Sequence, residues 1–361
     1  MKITAILLLI SLLIMPAGCT SNSDNQYSRH ADSIFDTFDT LIRVVAYTED
    51  EDEFREHFEM IHSRLLEMHR LFDIYNSYEG INNIKTINDN AGIRPVEVDR
   101  EIIDLIEFSR EWSEKTGGRV NIALGPVLEI WHNYREEGLY DPENAELPPM
   151  EMLEEAMQYT DLDRVEIDEE NSTVYLPEPQ MSLDVGAVAK GFALEVLAEE
   201  LIAAGLESAI ISAGGNIKMI GRPMDEDRDL WGIGITDPDA AVVSGSDNLL
   251  DVIYLGEGSV DTSGDYQRYY QVDGEMYHHL IDPETLMPAR HFRAVTVAGE
   301  GSGPADFVST ALFLLPFEES LALVESLENF EALWVMPDGE VRTTEGMREI
   351  LQSHGATRTI D

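Results

Sequence analysis

The sequence predicts an α+β fold in which mixed sheets are flanked by helices and a ligand site lies between two lobes. Apolar residues alternate over several short segments and recur at helical spacing over others. These segments do not follow one another in strict strand-helix-strand alternation, which favours an α+β architecture. The 361 residues are 43% hydrophobic, which is enough for the core of one large or two ordinary domains.

In the first half of the chain, alternation predicts a strand over residues 38–47, and helical spacing predicts a helix over 51–72. A polar-aromatic segment follows at 72–77, and a turn follows residues 84–90. Further helices are predicted over 100–116 and from 121–126 to about 131–132. Residues 138–150 are rich in proline and acidic residues and predict a surface excursion. Residues 164–177 predict a hairpin with its turn at 169–171.

In the second half, a loop at 182–191 leads into a helix over 192–205 and a buried strand over 208–213. Strands are predicted over 253–262, 269–272, 294–298 and 332–336, and helices over 305–315 and 317–327. We find no internal repeat and no low-complexity segment in the sequence.

The N-terminus carries the features of a signal peptide over residues 1–18. Lys2 precedes an apolar run over residues 3–15, and small residues precede Cys19. The run is too short to span a bilayer as a mature helix. Cys19 is the only cysteine, so it forms no intramolecular disulfide. This end resembles a bacterial lipoprotein signal, in which the cysteine is lipidated after cleavage, although Pro16 stands where leucine is usual.

From this resemblance we expect a lipid anchor at Cys19, a flexible polar tether over residues 19–33, and a location in the cell envelope on the extracytoplasmic side. Simple secretion without lipidation is the alternative.

The charge of the chain is extreme. Aspartate and glutamate number 70 against 24 lysines and arginines, a formal net charge of −46. This balance argues against nucleic acid as a partner and against electrostatic docking on anionic lipid. Self-repulsion of this size predicts a protein adapted to high salt, where ions screen the charges. An ordinary acidic secreted protein is the alternative.

The loop at 182–191 combines an acid, a base and two glycines immediately before a helix. Glycines let the backbone approach a ligand, and helix N-terminal amides favour negative charge, so the segment fits a phosphate site. An ordinary loop-helix-strand unit, with Gly205 ending the helix, explains the same residues. The segment alone leaves the two interpretations even.

Asp306 and Thr310 lie four residues apart in a predicted helix, so their oxygens share one face. A carboxylate and a hydroxyl in this arrangement suit Mg²⁺, which takes oxygen ligands and often binds substrate phosphate. Alternatively, Asp306 stabilises the helix dipole from the first turn and Thr310 bonds its own backbone. Spacing alone favours that second interpretation.

Two adjacent histidines, His278 and His279, would point to opposite faces of a strand, so at most one belongs to a given site. A histidine beside a phosphate is a candidate general base, whereas one buried and one exposed structural histidine is the plainer account. Phe38 and Tyr75 are candidates for stacking on a flat ring, although aromatic residues more often belong to the core.

Five motifs occur in a characteristic order: DVGAVAKG at 184–191, GGN at 214–216, TSGDY at 262–266, HLIDP at 279–283 and ADFVSTAL at 305–312. With them the chain resembles the FAD:protein FMN transferase (ApbE) family over residues 38–344. We therefore expect an ApbE-like domain over 34–350, with a flavin site between its lobes, and a C-terminal tail over 351–361.

The resemblance implies Mg²⁺-dependent transfer of FMN from FAD to a Ser or Thr hydroxyl of a target flavoprotein in the bacterial envelope, with release of AMP. Carried over position by position from the resemblance, the implied FAD contacts are Phe38, Tyr75, Val120, Asn121, Asp184, Lys190 and His279. The implied Mg²⁺ ligands are the Ala187 carbonyl, Asp306 and Thr310. His279 and Asp306 are the implied catalytic residues, with His279 or a nearby carboxylate accepting the hydroxyl proton.

The chain departs from the family pattern in three places. Residues 119–121 are Arg-Val-Asn where a small residue, Phe and Asp are common, so Asn121 replaces a carboxylate. Asp261 stands where alanine is usual and adds negative charge near a pyrophosphate site. Phe38 replaces a methionine. The first two departures would weaken FAD affinity or change the second substrate.

Two other functions stay open. The same site with water as the nucleophile would be an FAD pyrophosphatase that releases FMN and AMP. A lipoprotein that stores or delivers FAD without chemistry is the second alternative, but a pure binder has no need of a metal at the scissile phosphate.

Overall fold

The structure is a computed structural model that describes residues 26–239 and 249–360. Within these ranges the strands are β1 (Ser28–Ile34), β2 (Ile42–Thr48), β3 (Val96–Glu97), β4 (Glu166–Asp168), β5 (Thr173–Tyr175), β6 (Ala209–Ala213), β7 (Asn216–Ile220), β8 (Trp231–Thr236), β9 (Leu249–Leu255), β10 (Gly258–Gly264), β11 (Tyr269–Val272), β12 (Glu275–His278), β13 (Ala294–Gly299), β14 (Phe330–Val335) and β15 (Val341–Thr343). The α-helices are α1 (Glu51–Phe72), α2 (Ile84–Asp89), α3 (Arg100–Lys115), α4 (Gly125–Tyr140), α5 (Met150–Met157), α6 (Ala189–Ala203), α7 (Ser302–Phe313), α8 (Phe317–Ser326) and α9 (Glu345–Ile350).

An eight-stranded sheet in the order β1-β2-β6-β7-β10-β13-β14-β15 forms the centre of the fold. Each neighbouring pair in it is antiparallel. Smaller sheets are formed by β3-β5-β4, β8-β9 and β11-β12. Sheets of this kind flanked by helices confirm the predicted α+β class.

Helices α1, α6 and α7 cover one face of the central sheet, which we call the helix face. Strand β2 shows why: Val44 points into the core under these helices, whereas its neighbour Val45 packs on the other side. Helix α1 contributes Ile61, Leu65 and Met68, whose spacing of three and four residues places them on one buried stripe.

The opposite face of the sheet, which we call the hairpin face, is covered by the β8-β9 hairpin and α9. Trp231, Ile233 and Ile235 alternate along β8 and pack with Val260 and Leu333 of the sheet in a second apolar cluster. Every second residue of β8 is thus buried, as expected for a strand with one face on a core.

A smaller lobe consists of α4, α5 and the β11-β12 hairpin. Its core contains Val127, Trp131, Tyr270 and Tyr277, separate from the two clusters of the central sheet. A cavity lies where this lobe meets the helix face. Two lobes with a site between them are therefore observed.

Several predicted elements are confirmed with small changes. Helix α1 has the predicted bounds, α3 ends one residue early, and the hairpin over 164–177 forms β4 and β5. Gly205 follows α6 with a φ of 96°, the left-handed conformation of a helix-terminating glycine.

The strand predicted from residue 38 begins only at Ile42. Phe38 and Asp39 have φ values of 53° and 49°, and this left-handed backbone interrupts an extended chain. The strand predicted over 253–262 is likewise two strands, β9 and β10, separated at residues 256–257.

Helix α4 extends to Tyr140, beyond its predicted end at residues 131–132, and takes in the start of the predicted surface excursion. Its later turns pack on the β11-β12 hairpin. A Cβ atom at Gly138 would lie 2.6 Å from the ring of Tyr270, so glycine here permits close packing within the helix. This tertiary contact explains why the glycine does not end the helix.

The tether prediction is wrong over residues 28–33, because these residues form β1, which pairs with β2 along its length. Only Ile34 of this edge strand is buried, so its apolar pattern is too weak to predict a strand. Residues 19–25, Cys19 included, and the predicted signal peptide lie outside the described residues.

The predicted C-terminal tail packs on the domain. Leu351 is buried, and the Arg358 carbonyl accepts hydrogen bonds from the amides of Asp229 and Leu230 at 2.8 and 3.1 Å. Within residues 26–239 and 249–360, no helix has the length and apolar character needed to cross a bilayer.

Candidate active site

A cavity of about 310 Å³ lies between the smaller lobe and the helix face. All of the predicted site residues of the domain line it: Phe38, Tyr75, Val120, Asn121, Asp184, Ala187, Lys190, His279, Asp306 and Thr310. They come from six separate segments of the chain, and folding brings them together. Their roles toward FAD and Mg²⁺ stay predictions.

Helix α7 presents Asp306 and Thr310 to the cavity one turn apart. The helix begins at Ser302, three residues earlier than predicted, so Asp306 lies in the second turn rather than the first. The Thr310 hydroxyl lies 3.2 Å from Ser263 Oγ on β10. Both observations weaken the alternative in which these residues serve only their own helix.

Gly191 in α6 explains how the DVGAVAKG motif reaches Asp306. Its amide donates to Asp306 Oδ2 at 2.9 Å. A Cβ atom at this position would lie 2.4 Å from the Asp306 Cβ and 2.5 Å from the Ser302 carbonyl oxygen. Only glycine allows α6 and α7 to approach this closely, and the contact sets the distance between the two motifs.

The residues predicted to bind Mg²⁺ line one cavity, and their donor atoms suit the ion. The Asp306 carboxylate, the Thr310 hydroxyl and the Ala187 carbonyl are the hard oxygen ligands that Mg²⁺ prefers. In the part of the chain that the structure describes, no three His, Cys, Asp or Glu side chains form a ready-made metal site. A metal here would therefore need water or substrate phosphate to complete its shell.

The two histidines have different environments. His278 is buried; its Nε2 lies 2.7 Å from the Ala289 carbonyl oxygen, and its Nδ1 accepts from the Leu280 amide at 3.2 Å. Burial lowers the pKa of His278 to about 4. His279 Nδ1 is buried without a hydrogen-bond partner among the described residues. Burial, followed by the charge of Arg268, lowers the pKa of His279 to about 3.

The consequence is that both imidazoles are neutral at pH 7, but of the two only His279 keeps a ring nitrogen without a hydrogen-bond partner among the described residues. His278 is a structural residue, as expected for one member of the pair.

Tyr75 stands at the mouth of the cavity with 54% of its surface exposed, and its ring lies 5.1 Å from that of His132. The Asp73 carboxylate accepts from the amides of Tyr75 and Asn76 at 2.7 and 3.0 Å and so fixes the loop. An exposed, held aromatic ring is available to a ligand and is not a core residue.

Phe38 is half-buried against His69, with ring centroids 5.7 Å apart, and its amide donates to His69 Nδ1 at 3.2 Å. Its left-handed backbone turns the ring toward the cavity lining. The short loop before β2 thus carries a flat apolar wall for the site.

Asn121 caps a turn beside the cavity, and this role explains why it is not a carboxylate. Its Oδ1 accepts from the Ala123 amide, and its Nδ2 donates to the Thr160 carbonyl, both at 2.8 Å. An aspartate would lack the donor for the second bond. The neighbouring Val120 is buried in the wall of the cavity.

Asp184 is half-buried in the wall of the cavity, whereas Asp261 is fully buried. Burial raises the pKa of Asp184, while its carboxylate accepts from the Gly186 amide at 2.8 Å. Asp261 is fully buried beneath the site and accepts from Asn216 Nδ2 at 2.6 Å. Burial and the nearby Asp306 raise the pKa of Asp261 well above its usual range.

Three cavity arginines were missed by motif reasoning: Arg119, Arg135 and Arg268. With Lys190 they bring four cationic side chains to one cavity of a chain that has only 24. The scarcity of basic residues was the available signal, because each one in so acidic a chain is a candidate for local charge compensation.

The model of the ApbE family matches residues 38–334. The chain belongs to the ApbE family. Among its relatives, the FAD:protein FMN transferase of Treponema pallidum (strain Nichols) is 34% identical over 276 residues, 73% of each chain. The enzyme of the same name from Klebsiella pneumoniae (strain 342) is 29% identical over 75% of this chain and 83% of its own.

Solved structures of ApbE proteins share the fold. The crystal structure of the ApbE protein from Thermotoga maritima superposes with a TM-score of 0.76 at 30% sequence identity, covering 90% of this chain and 99% of that one. The flavin transferase ApbE from Vibrio cholerae has a TM-score of 0.72 at 20% identity, with the same coverage, and supports the fold alone.

Proposed function

We propose that this ApbE-family chain is a transferase that moves FMN from FAD to a Ser or Thr hydroxyl of a target flavoprotein. The observation that carries the proposal is the composition of the cavity, in which cations and metal-ligand oxygens converge in a protein of net charge −46. An anionic pyrophosphate needs such local compensation to bind an acidic protein. FMN transfer is also the named activity of its relatives.

In the proposed reaction, the acceptor hydroxyl oxygen attacks the flavin-side phosphorus of FAD. A new P–O bond forms, the bond to the AMP oxygen breaks, and AMP leaves with the electron pair. Lys190, Arg135 and Arg268 stabilise the phosphate charge.

His279 or a neighbouring carboxylate accepts the proton of the hydroxyl. Burial, and after it the charges of Arg268, Arg135 and Lys190, lower the pKa of His279 in the free protein. A bound pyrophosphate offsets those cations and makes the imidazole a stronger base, which couples proton transfer to substrate binding.

The same proposal includes Mg²⁺, held by Asp306, Thr310 and the Ala187 carbonyl, with the Gly191 amide orienting Asp306. The ion would neutralise the pyrophosphate oxygens as charge develops on the leaving group. Support comes from the oxygen chemistry of these ligands and from their one-turn spacing on α7.

We further propose that the mature protein is anchored through a lipid on Cys19 to the extracytoplasmic side of a membrane. Its support is the sequence pattern of the first nineteen residues. A target flavoprotein would then be modified in the envelope.

The test is intact mass spectrometry of a flavoprotein subunit from the same genome, incubated with the domain from residue 20, FAD and Mg²⁺, with and without chelator. We expect a gain of one FMN on a Ser or Thr only when the metal is present. Free FMN and AMP with an unmodified acceptor would favour the pyrophosphatase instead. FAD recovered unchanged would favour the binding lipoprotein.

A further inference from the structure

A second group of buried oxygen atoms lies behind Asp306, between β10 and α7. Strand β10 points Ser259, Asp261 and Ser263 to the helix face, because alternate residues share a side. Helix α7 carries Ser302 and Asp306 on one face, four residues apart. We call Ser259, Asp261, Ser302 and Asp306 the polar seam.

One observed contact sets the register between the two elements: Ser263 Oγ lies 3.2 Å from Thr310 Oγ1. Two residues earlier on β10 and one turn earlier on α7, Asp261 faces Asp306, whose negative charge adds to burial in raising the pKa of Asp261. Two residues earlier again on β10 and four residues earlier on α7, Ser259 lies opposite Ser302. The seam therefore runs from the candidate Mg²⁺ ligands into the interior.

Three atoms of the polar seam have no hydrogen-bond partner among the described residues: Ser259 Oγ, Asp261 Oδ2 and Ser302 Oγ. All three residues are 0% exposed. Buried polar atoms are nearly always partnered, by protein, water or an ion, so three exceptions on one strand and the helix packed against it indicate a bound group.

The charges around the seam identify the class of that group. Lys218 is occupied, since its Nζ lies 3.2 Å from the Glu195 carboxylate and 3.0 Å from the Glu300 carbonyl. Lys190 and Lys218 both act on Asp261, and Asp306 adds a second negative charge. The carboxylates of Asp261, Asp306 and Glu195 thus stand against two ammonium groups, so an ionised Asp261 leaves one uncompensated negative charge in the interior.

We propose that the polar seam holds one buried monovalent cation, Na⁺ or K⁺, ligated by Asp261 Oδ2 and the hydroxyls of Ser259 and Ser302. Oxygen atoms are the ligands that such hard cations take, and one positive charge closes the balance. A proton shared between the carboxyl groups of Asp261 and Asp306 would neutralise their charge but would leave the hydroxyls of both serines without a partner. A water molecule would hydrogen-bond to the serines but would not neutralise the negative charge.

The cation would lie directly behind the Asp306 carboxylate and hold it toward the cavity, which makes Asp261 a positioning residue. The inference goes beyond FMN transfer and does not depend on it, because the seam is formed by the protein alone.

The first experiment measures the melting temperature of the metal-free protein in chelator, at constant ionic strength, as tetramethylammonium chloride is replaced by NaCl or KCl. Wild type should gain about 2 °C or more with at least one of the two small cations. Asp261→Asn, which keeps the size and one acceptor oxygen of the side chain, should lose most of this gain. Glu56→Gln removes an exposed charge on α1 and should respond as wild type does.

Equal melting temperatures in all three salts would overturn the proposal, as would an Asp261→Asn protein with the wild-type response. The difference between the NaCl and KCl arms identifies the ion.

A second measurement needs no variant. Crystals of wild type soaked in Tl⁺, which replaces Na⁺ or K⁺, should show one anomalous peak between Asp261 and Ser302, separate from the Thr310 side of Asp306. An ordered water alone, or no peak, would overturn the proposal even if Asp261→Asn fails to fold.

Discussion

The two faces of the central sheet differ in what they bury. The hairpin face packs apolar side chains such as Ile253, Val260 and Leu333. The helix face also has a large apolar core, but at β10 it buries Ser259 and Asp261 against α7, beside the cavity. Val260 and Asp261 are neighbours in sequence. Because successive side chains of a strand point to opposite faces, Val260 lies in an apolar core and Asp261 lies beside the candidate active site.

This difference shows on which face of the sheet the protein buries polar groups that lower its stability. Buried charges and unpartnered hydroxyls lower stability unless a ligand or an ion compensates them. These groups are concentrated on the side of the sheet that carries the cavity, while the apolar hairpin face stabilises the fold and, in the part of the chain that the structure describes, contributes no candidate site residue. Substitutions on the two faces should therefore fail in different ways.

The largest expected effect is the loss of activity in Asp306→Ala. Transfer should fall by about 10³-fold or more, because the variant loses the metal-binding carboxylate at the scissile phosphate. The initial rate of FMN incorporation at ordinary Mg²⁺ measures this, and circular dichroism should show an intact fold. Glu199→Ala, on the exposed side of α6, is the matched control. Activity close to wild type in Asp306→Ala would remove the metal assignment.

Ile253→Ala tests the hairpin face. The side chain is fully buried, so its truncation should lower the free energy of unfolding by about 3 kcal/mol, measured by urea denaturation. The transfer rate per folded molecule should stay within about twofold of wild type, because Ile253 lies on the face of the sheet away from the cavity. The rate is a sensitive measure, since a change of only about 1.4 kcal/mol at the barrier alters it tenfold. A tenfold slower folded enzyme would show that the two faces are coupled.

Acid should destabilise the site side through His278. Its pKa in the folded state, about 4, lies below the ordinary value of 6.5, so protonation favours the unfolded chain. The stability that the neutral side chain provides is complete above pH 6.5 and is lost as the pH falls toward 4. At pH 5 the loss should be about 2 kcal/mol.

His278→Gln should flatten the dependence of the free energy of unfolding on pH over this range. His279, with its pKa of about 3, has the same sign and is tested by His279→Gln. A His278→Gln protein with the slope of wild type would contradict this assignment.

The smallest expected effect is a rise of the melting temperature with salt, which depends on the charge of the whole protein surface and not on either face of the sheet. With a net charge of −46, the melting temperature should rise by about 2–5 °C between 0.1 and 1 M NaCl, because screening weakens self-repulsion. Thermal denaturation at several salt concentrations measures this. An unchanged melting temperature would count against adaptation to high salt.

Much of the fold was predictable where apolar spacing is strong. The bounds of α1 follow from its stripe of buried residues, and the hairpin over 164–177 follows from its turn. The weakly patterned β1 and the break at Phe38 were not predictable, because pairing with β2 and a left-handed turn decide them.

For the candidate site, the sequence by itself determined which residues close in sequence act together. Helical spacing puts Asp306 and Thr310 on one face, and five ordered motifs identify the family and the ten lining residues. These relations hold because residues a few positions apart in a helix or strand have nearly fixed relative positions.

Only the tertiary structure decided which distant segments meet. It brought Arg119, Arg135 and Arg268 into the cavity, and it buried Asp261 behind Asp306 instead of in the cavity wall. It also assigned the free ring nitrogen to His279 rather than to His278. The physical reason is that such contacts depend on the packing of whole helices and strands, which local periodicity does not encode.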